Sequence, residues 1–230
     1  MAVLVETGSL WRWCCLSVAY GGQREHALGA SATSATVPGM PDDLAAQLDA
    51  DFAEWYRRLP LTVVGAIWRW QQGPPERWYQ QIQHGFREGT DDGAVLADME
   101  ALDEAISAGV LRRDVVAWRG VRSADAALRR PAAEIEALVG SEIPFDGLFA
   151  VSLDRDVPVA EFAIPPLAGG PALFEVMIPA GIHAAWVALA GAPSMRYQHE
   201  LLLGSPTVLR ITSVAYTGDV PLISVEVVSE

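Results

Sequence analysis

From residue 41 to about residue 108 the apolar positions recur at helical spacing. Leu44, Leu48, Phe52, Trp55 and Leu59 fall on one face of a helix. That helix opens with Pro41-Asp42-Asp43, whose acids complement the positive end of the helix dipole. A second apolar segment runs from Leu61 to Trp70, and Gly73-Pro74-Pro75 breaks it. Pro75 can serve as an early position of a helix reaching Phe86. A further helix, about 92–108, carries Leu96, Met99, Leu102 and Ile106 and stops at Gly109. Beyond it the period changes. Segments rich in Val, Ile, Leu and Phe, separated by Pro and Gly, predict strands at 114–119, 148–153, 173–178, 185–189, 200–203, 207–214 and 221–228. One helical stretch, about 131–139, interrupts them. Helices first and strands afterwards predict an α+β fold, with residues 41–230 forming one domain, helical over 41–110 and β-rich over 111–230. Trp55, Trp68, Trp70 and Trp78 read as packing residues.

Composition narrows the field. The 230 residues suffice for one sizeable core, and no apolar run approaches the ~20 residues that span a bilayer. A net charge of −13 disfavours generic binding to nucleic acid or anionic lipid. All sixteen Lys+Arg residues are arginine, and asparagine is also missing. Both absent residues have AT-rich codons, so a GC-rich genome accounts for the two together. The only cysteines, Cys14 and Cys15, are neighbours and poorly placed for a disulfide. His26, His84, His183 and His199 show no metal-ligand spacing with them, and no metal is expected. Residues 1–40 resemble a poor leader, with an apolar stretch from Leu10 to Tyr20 interrupted by Arg12 and a linker-like 29–39 at their end. They are expected to be disordered or misassigned, with Met40 a plausible start. A cytoplasmic chain, or one secreted without a recognisable signal, fits these features.

Three strand-like segments carry polar residues that are costly to bury without partners. Arg119 ends the segment Val115-Val116-Ala117-Trp118-Arg119 and precedes Gly120. Ser152 follows Phe149-Ala150-Val151, and Gln198 and Glu200 flank His199 before Leu201-Leu202-Leu203. A guanidinium matches phosphate oxygens with a rigid fork of donors, and glycine permits close backbone approach. Residues two apart on an extended segment face one side, so Gln198 and Glu200 can share a pocket. Asp154, Asp156 and Glu161 read as a solvated acidic stretch. No phosphate-binding glycine loop, nucleophilic triad or dinucleotide fingerprint is present.

In this order, Arg, Ser and Gln-x-Glu resemble the Arg-Ser-Glu type of mono-ADP-ribosyltransferases, including bacterial toxin and phage-associated members. The similarity covers about residues 95–228. It implies N-terminal helices packed on a two-sheet β core and NAD as the substrate. It implies that Arg119 and Gly120 bind NAD with Ser152, that Glu200 stabilises the ribosyl cation, and that Gln198 presents a protein acceptor. Glutamine at the position of Gln198 implies an acceptor other than arginine. The family's Ser-Thr-Ser falls on Ala150-Val151-Ser152, so the first serine, which orients the glutamate in relatives, is replaced by alanine. Phe162 and Arg155 are the nearby candidates for nicotinamide contacts, and Tyr197 for a protein target. NAD glycohydrolysis, with water as acceptor, and a catalytically silent binding module remain open alternatives.

Overall fold

The computed structural model describes residues 41–73 and 77–228. The expectations for residues 1–40 and for Pro75 lie outside the described residues. The first helix, α1 (Pro41–Arg58), buries Ala45, Leu48, Phe52 and Trp55 and carries Arg57 and Arg58 at its negative end. Helix α2 (Leu61–Trp70) follows after Pro60, and α3 (Trp78–Glu88) after the proline break. Helix α4 (Gly93–Ala108) is capped by Asp92, whose carboxylate accepts from the Ala94 and Val95 backbone N–H groups. Its buried face includes Val95, Asp98, Leu102 and Ile106, whereas Leu96, expected inside, is 38% exposed.

Eight strands follow: β1 (Val115–Val121), β2 (Glu142–Phe145), β3 (Phe149–Ser152), β4 (Ala172–Ile178), β5 (Ala184–Trp186), β6 (Glu200–Leu203), β7 (Thr207–Thr217) and β8 (Val220–Val228). Their order is β2-β7-β8-β4-β1-β3-β6-β5. All neighbours are antiparallel except β4 and β8. Between β1 and β3 the register holds only at Trp118 opposite Ser152. The two expected sheets are thus a five-stranded half and a three-stranded half meeting at that pair. The fold is α+β, with the helices leading. Their apolar faces and the inner strand faces share one hydrophobic core.

Local differences from the sequence reading have local causes. The strand expected at 185–189 ends at Trp186, and Val187–Ala190 form a helical turn, α6, closed at Gly191. An apolar run of this length fits a buried strand or a buried helix equally well. Strand β2 was hidden by Pro144, which lacks an N–H; it is tolerated because β2 lies at the sheet edge. A short helix, α5 (Ala124–Leu128), and a π-turn, Pro158–Phe162, also escaped periodicity because each is only five residues long. No helix among the described residues is long and apolar enough to cross a membrane.

Candidate active site

Strand register gathers residues that are distant in sequence. Ser152 lies opposite Trp118 on β1 and opposite Glu200 on β6. Arg119 is the next residue on β1, and Gln198 ends the 3₁₀ turn Pro193–Gln198 that leads into β6. His199, in the left-handed conformation at φ 42°, makes the corner between that turn and the strand. Ser152 is 5% exposed. Its hydroxyl donates to the Gln198 carbonyl at 2.7 Å and accepts from the Asp154 N–H at 3.0 Å. Its observed bonds are therefore a brace for the corner that carries Gln198.

The Glu200 carboxylate receives both its side-chain bonds from the end of α2. Trp70 Nε1 donates to Oε1 at 2.8 Å, and Gln71 Nε2 donates to Oε2 at 3.1 Å. Gln71 also accepts from the Ala192 N–H at 2.8 Å, which fixes its amide orientation and ties α2 to the turn before β6. Burial pushes the Glu200 carboxyl above its usual range, while Trp70, Gln71 and the positive charge of Arg119 act in the opposite direction. Just upstream, Arg69 donates to both oxygens of Asp98, at 2.7 and 2.5 Å, and Trp78 Nε1 donates to Asp98 at 2.6 Å. Burial pushes Asp98 up, but these donors outweigh it and hold the carboxyl below its usual range. This bond set ties the last turn of α2 to α3 and α4.

The arginine end is built differently. By alternation along β1, Arg119 shares a strand face with Val115 and Ala117, both buried. Its Nη1 donates to the Ala150 carbonyl at 2.7 Å. The guanidinium lies 4.7 Å from the ring centroid of Phe145 and 4.8 Å from that of Phe149, within cation–π range. A cavity of about 10 Å³ beside it has room for about one water molecule. Its Nε is buried with no hydrogen-bond partner. Burial and the nearby positive charge of Arg87 push the Arg119 pKa down to about 10, against the opposing pull of Glu200. Two cations and one unmet donor therefore converge at this end. The space beside them is lined mainly by apolar side chains and holds about one water, so an anion with several oxygens could meet this guanidinium only after it left these contacts.

Gly120 has a packing reason of its own: a Cβ there would collide with the Pro158 carbonyl on the π-turn. The same turn carries Glu161, which is not freely solvated as expected but accepts from Tyr197 and Gln198. Arg155 lies 5.3 Å from the Trp118 ring centroid, and Phe162 is 46% exposed. Sequence reading missed Trp70, Gln71, Glu161 and Arg87 as site residues. Trp70 and Gln71 end a helix, and nothing in their spacing connects them with a glutamate on β6. The tryptophans expected only to pack also serve as donors: Trp55 bonds the Ala105 carbonyl, Trp68 the Ala190 carbonyl, and Trp70 and Trp78 the two carboxylates above.

No family model matches the sequence, and no curated protein matches it. Solved structures do. Plx2a, an ADP-ribosyltransferase toxin from Paenibacillus larvae, is similar with a TM-score of 0.64 and 19% identity, covering 81% of this chain and 96% of that one. The Clostridium limosum C3 exoenzyme gives 0.62 and 15% identity, covering 86% and 98%. C3stau2 from S. aureus, solved with NAD, gives 0.58 and 16%, covering 82% and 96%. The order of elements, the joined half-sheets and these neighbours agree: the chain has the fold of the bacterial ADP-ribosyltransferase toxins.

Proposed function

We propose that this protein is an NAD-dependent mono-ADP-ribosyltransferase, with residues 41–230 as its single catalytic domain. The observation that carries the reading is the pairing of a partly buried, donor-held Glu200 with an Arg119–Arg87 end whose Nε is unmet. Similarity to a structure solved with NAD supports the choice of substrate. In this reading Arg119 leaves its resting contacts with Phe145, Phe149 and the Ala150 carbonyl to meet the diphosphate, with Arg87 beside it. Ser152 holds the corner before β6. Trp70 and Gln71 take over the orientation of Glu200 that the replaced first serine performs in relatives.

The bond from nicotinamide nitrogen to the ribose carbon breaks, and nicotinamide leaves with the bonding pair. Positive charge builds on the ribose, as in glycoside hydrolysis. The Glu200 carboxylate stabilises it from a partly buried position, where a fixed charge acts more strongly than in open water. A nitrogen or oxygen of the acceptor then bonds to that carbon and its proton passes to solvent. Gln198 faces the acceptor, and glutamine there favours an acceptor other than arginine.

The test is to incubate the purified full chain with NAD labelled in the ADP-ribose part and a cell lysate. Label on protein and released nicotinamide are expected. Glu200→Gln is expected to slow nicotinamide release by about a hundredfold or more, the scale of losing a preorganised electrostatic group. A folded wild type that neither binds nor cleaves NAD would sink the proposal in favour of a silent binding module. Free ADP-ribose without labelled protein would identify a glycohydrolase.

A further inference from the structure

Glu161 lies on the π-turn Pro158–Phe162, and both its oxygens are engaged by consecutive residues of the turn before β6. Tyr197 Oη donates to Oε1 at 2.8 Å, and Gln198 Nε2 donates to Oε2 at 2.8 Å. A carboxylate only accepts, so the amide nitrogen of Gln198 must be the atom that faces it. The backbone of Gln198 is held as well, through the bond from Ser152. Gln198 is thus fixed at both ends and is 7% exposed. Tyr197, 48% exposed, marks the surface beside it. Burial and the bond to Glu161 push the Tyr197 phenol up to about 12, which keeps it a donor through the neutral range.

We propose that Glu161 is a positioning residue that fixes the side-chain amide of Gln198, the residue that faces the acceptor, by accepting from its nitrogen. The proposal rests on the transferase reading above and adds to it the orientation of the amide and the residue that sets it. Glutamine at 161 could donate as well as accept. The nearly isosteric Glu161→Gln variant therefore keeps the volume but releases the constraint on which way Gln198 points.

Two measurements test this on the full chain, with circular dichroism used to match the folding of the variants. In ¹⁵N-labelled protein the Gln198 side-chain amide, assigned by its loss in Gln198→Glu, is expected to exchange at least tenfold more slowly than a free glutamine amide. Glu161→Ala is expected to remove that protection. With labelled NAD and a cell lysate, the ratio of protein-bound to free ADP-ribose is expected to fall at least tenfold in both Glu161→Ala and Glu161→Gln. An unprotected amide in the wild type, or an unchanged ratio in both variants, overturns the positioning role. If the wild type releases no nicotinamide, the transferase reading has failed, and amide exchange alone decides whether Glu161 holds Gln198.

Discussion

The two ends of the site solve opposite electrostatic problems. At the glutamate end each carboxylate oxygen of Glu200 already has a donor, and both donors stand on one helix terminus. At the arginine end a guanidinium lies against two phenyl rings that touch each other, with one donor unmet and a second cation nearby. The first arrangement holds a charge that must act without reorganising. In the proposed reading, the second holds a charge that gains partners when an anion arrives. A partly buried charge with incomplete bonding is a poor stabiliser of a fold, and in the proposed reading binding of an anion offsets that cost.

Arg119→Met breaks the comparison most sharply. Methionine fits the same apolar surroundings without charge. NAD affinity is expected to fall about 10–100-fold, the scale of losing charge-assisted hydrogen bonds of about 1.5–3 kcal/mol. Folding stability is expected to drop by no more than about 1 kcal/mol, because the lost bond to Ala150 is offset by removing a buried charge. Calorimetric titration with NAD and urea unfolding read the two effects. A stability loss larger than the binding loss would make Arg119 a structural residue.

Trp70→Phe probes the other end. It leaves Glu200 Oε1 without its donor and is expected to cost about 1–3 kcal/mol of stability in urea unfolding. It also moves the pH dependence. Burial raises the folded-state pKa of Glu200, so ionised Glu200 is lost, and turnover with it, as pH falls through that raised value. Trp70 pulls the value down, so Trp70→Phe is expected to shift the acid limb of nicotinamide release to higher pH. The stability linkage has the matching sign. The folded protein binds this proton more tightly than the unfolded chain does. Glu200 therefore costs stability as pH rises from its unfolded to its folded value, and costs more in the variant. An acid limb unmoved by Trp70→Phe would show that the indole does not orient the reacting carboxylate.

Ala150→Ser should do least. The family resemblance makes the missing hydroxyl look expensive, at about 1.5–3 kcal/mol if fully felt in the transition state. In the structure both Glu200 oxygens are already served from α2. Restoring the hydroxyl is therefore expected to change nicotinamide release by about threefold at most. A gain of about tenfold or more would mean that Trp70 and Gln71 do not replace it.

The sequence by itself determined the four leading helices, most of the strands and the α+β class, because burial periods of 3.6 and 2 are local properties of the chain. It also determined the candidates Arg119, Ser152, Gln198 and Glu200, since a polar residue on an apolar strand stands out against its neighbours. Edge strand β2 stayed hidden behind Pro144, and α6 behind an apolar run with no period to choose by. Only the tertiary structure decided who serves these groups. Trp70 and Gln71 reach Glu200 across more than a hundred residues, and Glu161 meets Gln198 because a five-residue π-turn packs on Gly120. Hydrogen bonds act over about 3 Å, and the chain carries no local record of which distant donor its folding will bring within that distance.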